Sequence, residues 1–332
     1  MADDRFIQPL HERGAALLTV LMLVAVMAVI TAVALERLTL ATRMAQNGVS
    51  VDQGRAFLMA GEAVASLRLG DLVTARRERT TLAGGWLGTA QAFAVPGGMV
   101  VARVRDADNC FNINGLVKSE GADSYVARPT GIMQFSALLR LLGTDPRVAE
   151  QIATASADWI DSDSVPGPGG AEDAAYGQQA VPFRTAGGLL ADPSEIRIVA
   201  GMTAPIYDRV RPWLCALPVA ELAPVNINTL LPDQAILLAM LADGRIGAET
   251  GRQVIARRPA DGYGSAATFW AEPALSGLGV ASEVTDQTTV TSRWFEVDLT
   301  AELGGTDVRE TVLFDAKETP ARLVRRRWGV ED

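Results

Sequence analysis

The sequence predicts an α+β protein carried on one N-terminal membrane helix, with a large helical block inserted between two groups of strands. Three observations carry this. An uncharged apolar run fills residues 15–35. Period-two alternation occurs both early and late in the chain. The residues between these strand groups carry helical spacing and repeat one another.

The apolar run is 21 residues long and is closed by Glu36. About 20 apolar residues suffice to cross a bilayer as a helix. A secretory signal has a shorter apolar core, with small residues for cleavage behind it. Here the processing signal, Arg13-Gly14, lies in front, so cutting between Gly14 and Ala15 leaves the helix on the mature chain. This layout resembles the type IV pilin and pseudopilin family, whose prepilin peptidase cuts after such a glycine. Most members carry Glu at the fifth mature position, thought to pair with the amino terminus of the subunit above. This chain has Thr19 there. A carboxylate in a membrane is costly without a partner, so the departure points to a filament tip. An ordinary signal anchor is the competing reading.

After Glu36 the spacing of Val51, Leu58 and Ala65, and of Phe57, Val64 and Leu67, predicts that the helix continues with an apolar stripe. Gly48, Gly54 and Gly61 dilute its propensity. Residues 91–95 and 99–105, separated by Pro96-Gly97-Gly98, read as a hairpin. Strand character returns in Phe295, Val297 and Leu299, turns at Gly304-Gly305, and resumes over 308–314. A last edge strand covers 321–328, its Arg322, Arg325, Arg326 and Arg327 reading as a solvated face, with a binding patch as the alternative.

The intervening block contains an internal echo. Phe111-Asn112-Ile113-Asn114-Gly115-Leu116 is matched by Val225-Asn226-Ile227-Asn228-Thr229-Leu230. Two helical patterns follow each, at 135–142 and 146–160, then at 234–241 and 248–257. Such fixed-order similarity predicts two copies of one helical unit, and Asn-x-Asn suits turns and helix caps. The units resemble helix–hairpin–helix or SAM-like modules. The Gly-Ile-Gly that grips phosphate is missing, and Asp243 and Asp145 sit in the hairpins.

Composition excludes several chemistries. The one histidine, His11, lies in the leader, so a mature chain has no Ser-His-Asp triad, Cys-His pair or His-ligated zinc. Two cysteines are too few for a four-cysteine zinc site or an iron–sulfur cluster. A net charge of −9 argues against nucleic acid. Oxygen chemistry remains. Asp158, Asp161, Asp163, Glu172 and Asp173 crowd a Pro/Gly-rich loop. Glu172 is twelfth counting from Asp161, as in an EF-hand, but Val165 and Pro166 break that motif. From the residues alone a solvated acidic loop, another calcium loop and a carboxylate pair for glycoside hydrolysis all remain open.

The start without the fifth-position Glu, the F-N-I-N opening, the D-W-I-D-x-D…G-A-E-D-x-x-Y loop and the later V-N-I-N-T together resemble the component K family of type II secretion, minor pseudopilins, over nearly the whole chain. The resemblance implies a pseudopilin α/β domain, a long helix on an antiparallel sheet, interrupted by the α-helical insertion. The expected segments are a leader at 1–14, a membrane helix at 15–35 and a stem with first strands at 36–106. The insertion follows at 107–284, in units of about 107–218 and 219–284, and C-terminal strands at 285–332. It implies calcium held by Asp161, Asp163, Glu172 and Asp173, and a non-enzymatic role at the pseudopilus tip in filament initiation and export. Expected partners are components I and J, the major pseudopilin, the inner-membrane assembly platform and the prepilin peptidase, with secreted substrates as further candidates and no nucleic acid. The expected placement is single-pass in the inner membrane with the bulk periplasmic, and methylation of the new amine after cleavage. In that oxidising compartment Cys110 and Cys215, each preceding one Asn-Ile-Asn element, are expected to bond, two buried thiols being the alternative. Two other functions stay open: a membrane-anchored DNA-uptake module and a periplasmic acidic-site hydrolase.

Overall fold

The computed structural model describes residues 10–121 and 123–329, with 10–13 as backbone alone. Residues 1–9 of the expected leader, the His11 side chain and residues 330–332 lie outside the described residues. Helix α1 runs unbroken over Leu10–Ala75, 66 residues, or about 100 Å at 1.5 Å per residue. It passes straight through the Gly14–Ala15 junction. All side chains from Gly14 to Val49 are exposed. Among the described residues it is the one helix long and apolar enough to cross a membrane.

The packed half of α1 buries Gly54, Leu58, Glu62, Leu69 and Gly70, a stripe at helical spacing. The glycines that weaken its propensity have a packing reason. A Cβ on Gly54 would sit 2.7 Å from Val308 Cγ2, and one on Gly70 3.0 Å from Thr319 Cγ2. Close approach of helix to sheet offsets a cost of about 1 kcal/mol per glycine.

The sheet under α1 is antiparallel, in the order β1-β2-β7-β8-β9. Its strands are β1 (Gln91–Val95), β2 (Gly98–Asp106), β7 (Trp294–Leu303), β8 (Thr306–Asp315) and β9 (Arg322–Trp328). Val95 pairs with Gly98 across Pro96-Gly97, and Gly97 takes φ +85°, the requirement of a type II turn with Pro before Gly. Phe295, Val297, Leu299, Val312 and Phe314 pack toward Leu58. Asp106 pairs with Phe295 across β2 and β7. The long insertion therefore leaves and re-enters the sheet at one place, which is how the sheet tolerates it.

The insertion holds α2 (Pro129–Leu141), α3 (Pro146–Ile160), α4 (Asp173–Tyr176), α5 (Ala204–Val210), α6 (Ala235–Leu241), α7 (Ala248–Ala256), α8 (Ala266–Trp270) and α9 (Ser282–Gln287). The last helix continues past residue 284. The block is not wholly helical. A hairpin of β4 (Val117–Gly121) and β5 (Ser124–Ala127), and a parallel pair of β3 (Phe111–Asn112) and β6 (Leu214–Cys215), lie within it. Its core includes Phe111 and Phe135, stacked with centroids 5.0 Å apart, with Ile113, Leu138 and Ile152 fully buried.

The two Asn-x-Asn elements do parallel work. Asn114 takes the Leu190 N–H on its Oδ1 and donates Nδ2 to the Leu190 and Leu217 carbonyls. Asn228 grips Tyr263 N–H and C=O in the same two-point manner. The first asparagines also reach across the fold. Asn112 Nδ2 donates to Val219 and Glu221 carbonyls, and Asn226 Nδ2 to Thr80 O and Ser292 Oγ. All four are buried. They act as cross-links between distant segments as well as local turn formers.

Where insertion meets sheet, Asp106 accepts Thr229 Oγ1 and Ser292 Oγ, both at 2.5 Å, and Asp108 accepts the Arg293 and Trp294 N–H groups. Burial raises both carboxyls, Asp108 well above the usual range with the Asp106 charge adding to it. Cys110 and Cys215 are bonded, with Cα atoms 5.8 Å apart. Of the β9 arginines expected to form a solvated face, Arg322 is exposed, but the other three are engaged. Arg325 Nη1 donates to Ala191 O and Ala216 O, Arg326 pairs with Glu62 on α1, and Arg327 with Asp192. Alternation along the strand turns Arg326 to the helix and its neighbours to the insertion.

Candidate metal centre

Asp145 caps α3 by accepting the Arg147 and Val148 N–H groups, and Pro146 opens it. The helix ends at Ile160, so Asp158 and Asp161, three residues apart, face one side of its last turn. Ser162 then clips to β5: its N–H donates to Tyr125 O and its Oγ accepts the Tyr125 N–H. That fixes Asp161 in a buried position, 4% exposed.

The Pro/Gly loop wraps around Asp158, which accepts the Gly167 and Ala171 N–H groups. A Cβ on Gly170 would fall 1.8 Å from Asp158 Oδ2, so glycine is required by close approach. The return of the loop carries Glu172, 3% exposed, back to the end of α3. One carboxylate oxygen each from Asp161, Asp163 and Glu172 lies within 4.8 Å of the others. Asp163 is exposed and accepts the Val165 N–H at 2.7 Å.

The electrostatics of this trio are unfavourable as it stands. Asp161 Oδ1 and both Glu172 oxygens are buried without a hydrogen bond. Burial, then Asp163, Glu172 and Asp158, push Asp161 to about 7. Burial, then Asp158, push Glu172 to about 7. Buried carboxylates stay charged only beside cations or donors. The donor set is all oxygen, which suits a hard cation such as calcium. The residues present therefore fit the expected ion, which they would hold through these three carboxylates.

Asp173, the fourth expected ligand, is not brought to the trio. Its Oδ1 accepts the Thr185 N–H and hydroxyl at 2.9 and 3.0 Å. The Thr185 N–H and hydroxyl, with Arg184 adding, hold its carboxyl below the usual range. Glu172 is extended backbone while Asp173 opens α4, so consecutive side chains diverge. Sequence reasoning missed the role of Asp158 as the post around which the loop folds. The Asp158–Asp161 spacing at a helix end, followed by glycines, is the signal that points to it.

Family models described as type II secretion system protein K match residues 109–219 and 225–291. The type II secretion system protein K of Klebsiella pneumoniae is 33% identical over 323 residues, covering 96% of this chain and 97% of that protein. The chain belongs to the type II secretion system protein K family. Protein K of Aeromonas hydrophila is also 33% identical, over 96% of this chain and 98% of its own. The crystal structure of the GspK-GspI-GspJ complex from enterotoxigenic Escherichia coli matches with a TM-score of 0.74 and 28% identity, over 86% of this chain and 99% of that one. Protein K of this kind is a minor pseudopilin of type II secretion, a mixed helix-and-sheet protein led by a long apolar helix.

Proposed function

We propose that this chain caps the type II secretion pseudopilus, helping initiate the filament and export across the outer membrane. Thr19 carries the reading. Its hydroxyl donates to Ala16 O at 2.8 Å, so the residue is satisfied within its own helix and needs no amine from a subunit above. A carboxylate at that depth would need one. The bulky insertion adds a steric reason, since it would obstruct subunits stacked on top.

The exposed arm Gly14–Val49 suits the inner membrane and then the filament interior, with the bulk of the chain periplasmic. Following the Escherichia coli complex, the partners are the I and J pseudopilins, with the major pseudopilin, the assembly platform, the prepilin peptidase and secreted substrates as further contacts. Processing between Gly14 and Ala15, with methylation of the new amine, precedes assembly. The role is structural rather than catalytic. The parallel grip of Asn114 and Asn228 supports reading the insertion as two helix–hairpin–helix-like units.

Within the insertion, Asp161, Asp163 and Glu172 are read as a structural calcium site. A bound calcium ion supplies positive charge to the three carboxylates. Asp158 shapes the loop, Ser162 anchors its start to β5, and Asp173 fixes its exit to Thr185. Immunogold labelling of overproduced pseudopili tests the tip assignment: gold at one end is expected, and decoration along the length contradicts it.

A further inference from the structure

A cleft of about 900 Å³ separates the helical insertion from the sheet face turned away from α1. Five arginines line it. Arg105, Arg325 and Arg327 rise from the sheet, and Arg197 and Arg211 come from the insertion opposite. Three carboxylates also line it, and each is engaged. Asp106 lies at the back, held by Thr229 and Ser292. Asp192 pairs with Arg327, and Glu296 lies 2.7 Å from Arg105. Arg325 reaches only carbonyls, and Arg197 stacks 5.4 Å over the Tyr207 ring. Neither forms a direct ion pair with a carboxylate among the described residues, though Glu296 and Asp192 lie near enough to Arg325 to act on its charge.

A positive cleft in a chain of net charge −9 is a local reversal of sign. Guanidinium groups suit carboxylates and phosphates because their donors form a planar fork. The volume exceeds what one small anion fills and matches a short peptide or drug-sized ligand. The lining also includes Leu82, Leu87, Leu231 and Trp328, apolar surface that an inorganic anion would not use. Trp328 is 43% exposed.

We propose that this cleft binds an acidic polypeptide segment of a partner protein, with carboxylates meeting Arg197 and Arg325 and apolar side chains lying on Leu82, Leu87 and Trp328. The site is separate from the calcium loop and independent of where the subunit sits in the filament. Charge complementarity of this kind sets specificity and speeds encounter more than it adds affinity, so salt should weaken binding.

The test uses the full chain in detergent micelles and a fluorescein-labelled peptide alternating glutamate and leucine, read by fluorescence anisotropy. A glutamine–leucine peptide of equal length is the control. The glutamate peptide should bind at least tenfold more tightly, and salt should weaken it. Arg197→Glu should weaken it at least tenfold, with melting lowered only slightly by loss of the Tyr207 contact, because Arg197 is exposed. Arg211→Gln should weaken it severalfold. Arg252→Glu, on α7 and outside the cleft, should have no effect. Equal binding of the two peptides, or unchanged affinity in Arg197→Glu, overturns the proposal. Displacement of the peptide by inorganic phosphate at equal concentration also overturns it, by assigning the cleft to a small anion.

Discussion

Replacing Glu310 should change how stability depends on pH, because this carboxyl is buried with too little positive charge. It lies on β8, is 1% exposed, and neither oxygen accepts a hydrogen bond; the neighbouring Glu62 carboxylate can be met only by the protonated acid. Glu62 of α1 takes the Arg326 guanidinium by both oxygens, leaving Arg326 Nε 3.9 Å from Glu310. One cation thus faces two carboxylates. Burial, then Glu62, raise Glu310 to about 8. A carboxyl raised above its unfolded value of 4.5 binds its proton more tightly in the folded state. Its contribution is therefore complete below pH 4.5 and is lost as pH rises through 8. The loss is at most about 1.4 kcal/mol per pH unit in that window, or about 2.5 kcal/mol between pH 5 and pH 7. Glu310→Gln keeps the shape of the neutral acid and cannot ionise. Chemical unfolding of wild type and variant, followed by tryptophan fluorescence at pH 5 and 7, should show the variant gaining up to that amount. Taking the difference between the two proteins cancels the other carboxyls that titrate. Parallel pH dependence in both would show that Glu310 does not hold its proton more tightly in the folded state.

Two further perturbations test the junction between insertion and sheet. Asn226→Ala removes three side-chain hydrogen bonds and leaves Thr80 O and the Asn228 N–H buried without them. At about 1–3 kcal/mol per orphaned group, unfolding should become easier by about 3 kcal/mol, and a loss below about 1 kcal/mol would contradict the cross-linking role. Reducing the Cys110–Cys215 bond, which closes a separation of 105 residues, should cost up to about 4.7 kcal/mol in the chain-entropy account. Thiol labelling of the denatured, unreduced chain should find no reactive cysteine.

Much of the fold is legible in the sequence because its signals are local. The apolar run, the Pro-Gly turn and the alternation of β2, β7 and β8 each depend on neighbours within a few residues. The acidic trio is legible for the same reason, since Asp161, Asp163 and Glu172 belong to one loop. What escapes is non-local. Asp106 is held by Thr229 and Ser292, 123 and 186 residues away, and nothing in its surroundings marks it as buried. The β9 arginines look like a solvated edge because Glu62 and Asp192 are 264 and 135 residues distant. Asp173 lies on Thr185 and not among the trio because adjacency in sequence does not keep side chains together where an extended residue meets a helix start. The short β3–β6 pair is invisible because two residues carry no periodicity.

The most direct test of the proposal that calcium orders the loop is the melting temperature of the full chain, in detergent, with calcium and with chelator at pH 6 and pH 8. Without the ion, the raised Asp161 and Glu172 favour the folded state while protonated, and that contribution is lost as pH rises through about 7. Calcium needs them ionised, so its effect must grow with pH. At a hundredfold excess over its dissociation constant, an ion that binds only the folded state adds about 2.7 kcal/mol, roughly 5–10 °C for a domain of this size. A shift of that order is expected at pH 8, a smaller one at pH 6, and none at either pH in Asp163→Ala/Glu172→Ala. Identical melting in calcium and chelator at pH 8 would contradict the proposal and leave the trio as an acidic cluster without an ion.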